Sequence, residues 1–161
     1  MKSVSSILSI IAIVILFASC SKEAKVLKKI DGIWAVEEVN FTADDGAILN
    51  LNPISASLTI LSCKKAENKK TNTCEASYME GTDIVVNFTY QVDADSENKI
   101  LTFREAEDNI EGVDTYVSYF KGVNKLSFGD NDKQMIMENN SSTFEMNGEM
   151  YSIREVVLRR K

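Results

Sequence analysis

The sequence predicts an all-β domain, an antiparallel barrel or sandwich of about eight strands. Apolar side chains recur with period two along most of the chain. Turn signals separate these runs at short intervals. Proline occurs once, as Pro53, while aliphatic and aromatic residues are plentiful, a globular rather than a disordered composition. At 161 residues there is room for one domain and little room for two. The chain divides into a leader over 1–19, a tether with a short helix over 20–31, and the β domain over 32–161.

The leader comes first. Met1-Lys2-Ser3 is a short positive start, and Ile7 to Phe17 is almost wholly apolar. Ala18 and Ser19 then place two small residues before Cys20. A charged start, a short apolar core and a small-residue cleavage site make a secretory signal peptide. The apolar stretch is shorter than the roughly 20 residues a membrane-spanning helix needs. After Cys20, the segment from Ser21 to Ile30 has Val26, Leu27 and Ile30 on one side and is predicted to form a short helix.

From Gly32 the period is two. Trp34 and Val36 share one face, then Val39 and Phe41, and the slip of phase between them predicts a bulge. Asp44-Asp45-Gly46 is a turn. Leu58, Ile60 and Ser62 alternate up to Cys63, and Tyr78-Met79 mark a weaker strand after Cys74. The clearest strand is Ile84-Val86-Phe88-Tyr90-Val92, with polar residues opposite. Asp93 to Asn98 is a polar turn, and Leu101-Phe103 lie on the next strand. Tyr116-Ser118-Phe120, with Val117 and Tyr119 opposite, predict a further strand, followed by Leu126-Phe128. Met135 and Met137 alternate in a short segment. Asn147-Gly148 is a hairpin signal before the long final run from Met150 to Arg159.

Two resemblances sharpen this reading. Phe17-Ala18-Ser19-Cys20 resembles the lipobox of bacterial lipoproteins, which usually reads Leu, then Ala or Ser, then Gly or Ala, then Cys. That resemblance implies cleavage before Cys20 and fatty acylation, palmitate included, of its thiol and new amino group. Ser21 at the next position, rather than Asp, implies the outer membrane, on its periplasmic or its cell-surface side. Gly32-Ile33-Trp34 after a short helix resembles the opening of lipocalins and, more closely, of the short lipocalin-like domains of Bacteroidota lipoproteins. The implied fold is an antiparallel up-and-down or half-open barrel of about eight strands. Trp34 is then expected to close its base beneath an arginine of the last strand, with Arg159 preferred and Arg154 and Arg160 as alternatives. A second lipocalin motif is missing: its nearest string, Asp114-Thr115-Tyr116, is scrambled.

Charge and residue types restrict the chemistry. The net charge is −6, and removing residues 1–19 takes away Lys2 and no acid, leaving −7. Such a balance argues against nucleic acid and against electrostatic docking on anionic headgroups. Histidine is absent, which removes the commonest general base and metal ligand. Cys63 and Cys74 bracket a lysine-rich loop, and in an exported protein they are expected to form a disulfide rather than a zinc or redox site. Asp93-x-Asp95-x-Glu97 resembles the start of a calcium loop. It lacks the Gly and Glu such a loop needs later, so a solvated turn is expected.

No nucleophile–base pair and no phosphate-cradling loop is found, so neither catalysis nor a cofactor is expected. The expected site is the barrel interior, lined by Phe88, Tyr90, Phe103, Tyr116, Phe120 and Phe128 and holding a small hydrophobic ligand. The alternative is a packed barrel that serves as a structural or protein-interaction element of the envelope.

Overall fold

In the computed structural model the described residues are 22–65, 72–82, 84–107, 109, 112–146 and 148–161. Cys20 and the leader lie outside them. Helix α1 spans residues 22–30, with Val26 and Ile30 buried one turn apart on one side. Gly32, at φ +125°, then turns the chain into the first strand.

Eight strands close into a barrel: β1 (Gly32–Thr42), β3 (Ala56–Ile60), β6 (Glu75–Glu80), β7 (Ile84–Ala94), β8 (Lys99–Glu105), β9 (Gly122–Gly129), β10 (Gln134–Asn139) and β13 (Ile153–Arg160). Each pairs antiparallel with the next in this order, and β13 returns to β1 to seal the wall. The all-β, lipocalin-like expectation is met by a closed barrel rather than a half-open one. Strand β2 (Ile48–Leu51) lies beside the far half of β1, where β3 lies beside its near half. Two small ribbons complete the strands: β4 (Lys64–Lys65) with β5 (Asn72–Thr73), and β11 (Phe144–Met146) with β12 (Glu149–Tyr151).

The alternation that foretold the strands sorts inside from outside. On β7, Val86, Phe88, Tyr90 and Val92 are buried, while Val85, Thr89 and Gln91 face out. On β10, Met135 and Met137 are wholly buried. The slip of phase in β1 appears as a break in register against β13 between Val36 and Glu38.

One predicted strand is a helix. Residues Asp114–Ser118 form α2, which lies across the barrel end opposite α1. Val117 and Phe120, three positions apart, are both buried, as are Tyr119 and Val113. A short run that is apolar on every side fits either period, and here the flanking backbone decides. Gly112 and Gly122, at φ +86° and +103°, take the chain off β8 and return it to β9. The segment between them is thereby folded over the barrel mouth.

Candidate functional site

The barrel interior is the candidate site, and aromatic and aliphatic side chains pack across it. Phe88 meets Phe103 at 5.5 Å between ring centroids and Phe120 at 5.8 Å, and Phe103 meets Tyr90 at 6.1 Å. Phe120 continues to Tyr78 at 5.3 Å. Tyr78 stacks on Tyr116 at 6.0 Å and meets Tyr119 edge-on at 5.9 Å. Tyr119 reaches Phe41 at 6.4 Å, which in turn contacts Phe144 and Tyr151, each at 5.8 Å. These tilted and edge-to-face spacings are those of rings in favourable mutual contact. Leu58, Ile60, Leu101, Met135, Met137, Val156 and Leu158 occupy the core between them.

Of the six expected lining residues, Phe88, Tyr90, Phe103 and Phe120 therefore form one packed group, and Tyr116 joins it from α2. Phe128 stands apart at the base, half-buried, with the Lys29 ammonium 5.4 Å from its ring centre. The tyrosine hydroxyls are committed: Tyr90 donates to the Leu61 carbonyl at 2.6 Å and Tyr78 to Glu80 at 2.8 Å. Burial pushes the phenols of Tyr90 and Tyr119 up to about 12 and that of Tyr78 further.

The base is closed by α1 and by Trp34, which is fully buried and donates its indole N–H to the Ile30 carbonyl at 2.7 Å. The guanidinium over the indole belongs to Arg160, 4.5 Å from the ring centre, and not to Arg159. Parity explains the correction. Trp34 stands opposite Arg160 in the β1–β13 register, so their side chains share a face. Arg159, one residue back, points to the outer wall and pairs with Glu37 at 2.6 Å and Asp130 at 3.1 Å. Arg160 also donates to the carbonyls of Asp31 and Lys29, holding the last turn of α1. A Cβ on Gly32 would come within 3.3 Å of Arg160 Nη1, so the glycine leaves room for this clasp.

The opposite end is closed by α2 and the β11–β12 hairpin, and Arg154 locks it. This fully buried arginine has no carboxylate partner in its hydrogen bonds. It donates to the carbonyls of Ser118 at 2.5 Å, Lys121 at 3.0 Å and Phe120 at 3.3 Å, and to Asn124 Oδ1. Its guanidinium lies 4.7 Å from the centre of the Phe144 ring. These carbonyls follow the end of α2, that of Phe120 accepting also from Asn124 Nδ2 at 3.0 Å, so the cation sits at the negative end of a helical turn. Burial lowers the Arg154 guanidinium to about 9, which leaves it charged at neutral pH.

No family model, curated protein or solved structure matches this chain.

Clefts also open at the surface. One of about 550 Å³ runs between α1, the disulfide and β7–β8, with Glu23, Leu27, Gln91, Asp93 and Arg104 among its lining. Another, of about 370 Å³, lies over β1, β2 and β13 and includes Ile48 and Ile153. Cys63 and Cys74 are joined as a disulfide beside the first cleft. Asp95 spends its carboxylate on its own turn, accepting from the backbone N–H of Glu97 at 2.7 Å and of Asn98 at 2.6 Å. Those bonds, that from Asn98 first, hold its carboxyl below the usual carboxylate range. Among the described residues no group of three or more Cys, Asp or Glu is placed to hold a metal ion.

Sequence reasoning missed Tyr78 and Tyr119 as hubs of the ring cluster and Arg154 as the lock. A signal for Arg154 was present. It alternates with Val156 and Leu158, and a charged residue in phase with an apolar face must be buried and satisfied. Its partners, on a segment expected to be a strand, were not readable.

Proposed function

We propose that this chain is a lipid-anchored envelope protein whose barrel is a solid scaffold, presenting its outer wall to a partner protein rather than carrying a ligand inside. The observation that supports this reading most is the interior, occupied by interlocked aromatic and aliphatic side chains and covered at both ends. A barrel of eight strands has room either for side chains or for one small ligand, and the packed rings favour the first. The lipobox-like segment supports acylation at Cys20 and attachment to the outer membrane, with more than one acyl chain making the attachment stable. A non-catalytic role fits the absence of histidine and the use of Tyr90 and of both terminal nitrogens of Arg154 in structural bonds.

The test is intact and native mass spectrometry of the full chain, extracted mildly from membranes of cells that express it. The expected result is a protein beginning at an acylated Cys20, with no co-purifying apolar molecule and no saturable binding of a hydrophobic fluorescent probe. An apolar molecule held at unit stoichiometry overturns the solid scaffold in favour of a ligand-carrying barrel. A chain without acyl groups overturns the anchor.

A further inference from the structure

Helix α1 has two chemically different faces. Val26 and Ile30 are buried against the barrel base. On the other side Lys22, Lys25 and Lys28 are exposed, while Lys29 is held by Asp132 at 2.8 Å. Since α1 covers the base, its outer face is an end face of the molecule. Lys99, Lys133, Arg160 and Lys161 belong to the same end, at the termini of β8, β10 and β13. Four acids there are engaged: Asp31 accepts from Ser62, Asp95 from its own turn, and Asp130 and Asp132 pair with Arg159 and Lys29, while Glu23, Asp93 and Glu97 offset part of the remaining positive charge.

The far end is opposite in sign. Asp44, Asp45, Glu107, Asp114, Glu145 and Glu149 are exposed around α2 and the β11–β12 hairpin. The described surface cations nearest to it are Arg104 and Lys121, the latter paired with Glu105. A net negative charge weighs against contact with anionic lipid only if it is spread evenly, and this one is sorted along the barrel axis.

We propose that the lysine face of α1 docks on anionic phospholipid headgroups, so that the barrel stands on its α1 end with its acidic end held away from the membrane. The proposal rests on the acylated Cys20 proposed above. Lys22 follows Cys20 by two positions, a reach of at most about 7 Å. That is within one screening length of about 8 Å at physiological ionic strength, so headgroup charge still acts on Lys22 and, more weakly, on Lys25 and Lys28. Lysines next to a lipid anchor gain attraction to an anionic surface in this way. The acidic end, farther off and of the wrong sign, adds a restoring torque.

The experiment uses the processed, acylated chain in vesicles of phosphatidylcholine alone and of phosphatidylcholine mixed with phosphatidylglycerol. Lysines are labelled with an amine-acylating reagent and read by peptide mass spectrometry. Lys22, Lys25 and Lys28 are expected to react about fivefold more slowly in the anionic vesicles, with Lys121 unchanged and the protection lost in high salt. Trp34, the single tryptophan, gives a second readout at the base. Its energy transfer to dansylated headgroups should be greater in anionic vesicles, and the Lys22→Gln, Lys25→Gln, Lys28→Gln variant should abolish that difference. Acylated protein whose α1 lysines react equally in both vesicles overturns the docking alone. Intact mass lacking acyl groups on Cys20 overturns the anchor and the docking together.

Discussion

Arg154 and Arg160 sit six positions apart on β13, and each holds the end of a different helix, Arg154 from a buried site and Arg160 from an exposed one. Arg154→Met would leave the carbonyls of Ser118 and Lys121 and Asn124 Oδ1 without this donor, while the Phe120 carbonyl keeps its bond from Asn124 Nδ2. Bonds to a charged group contribute about 1.5–3 kcal/mol each, but part of the loss is returned by relief of charge burial. The expected net destabilisation is about 2–4 kcal/mol by urea unfolding. Faster hydrogen exchange at the amides of Phe120 and Lys121 should accompany it, since both close onto Val117. Arg160→Ala removes a cation over an indole and two carbonyl contacts and is expected to cost about 1–2 kcal/mol. Arg159→Ala loses only exposed ion pairs and should cost under about 1 kcal/mol. Equal effects of these two substitutions, measured side by side, would contradict the assigned clasp. The sequence favoured Arg159 wrongly, because the register of β1 against β13, which decides which arginine faces Trp34, is set only on pairing.

Tyrosine ionisation belongs to this scale too. Tyr78, Tyr90 and Tyr119 have phenols raised above the unfolded value of about 10. Between that pH and about 12 the folded chain holds protons that the unfolded chain releases. Stability is therefore complete below about pH 10 and falls as pH rises from there toward 12. A spectrophotometric titration should show these three phenols ionising only together with loss of the β circular dichroism signal. Ionisation of all five tyrosines near pH 10 in folded protein would contradict their burial.

At the level of elements, the most regular strands were the most legible. In β7 alternation runs for the length of the strand, so the sequence alone shows which side is buried. In α2 the side chains carry no such contrast, and its form depends on glycines at either end and on the mouth it covers. The pairing of β4 with β5 is a different case, because the disulfide beside it was expected from compartment rather than from pattern. Its loop spans 11 positions, and the Cys63→Ser, Cys74→Ser double variant is expected to lose about 3 kcal/mol in urea unfolding, on the chain-entropy account. An unchanged unfolding midpoint would show that the bond constrains little.

For the whole molecule, closure is what pattern could not decide between a barrel and a sandwich. Alternation assigns faces but not neighbours, and the β1–β13 seam joins residues that are more than a hundred positions apart. The distribution of charge was hidden for the same reason: a sum over the chain says nothing about which turns share an end. Lysines on α1 and acids at the mouth separate only once the strands alternate in direction.

That seam has a temporal consequence. Of the eight barrel strands β13 is the last to be synthesised, and it carries the closing hydrogen bonds, the arginine of one cap and the arginine of the other. A polypeptide stopped short of it leaves β1 and β10 with bare edges, which invite pairing with another chain. Closure of the wall therefore waits on the eight residues of β13.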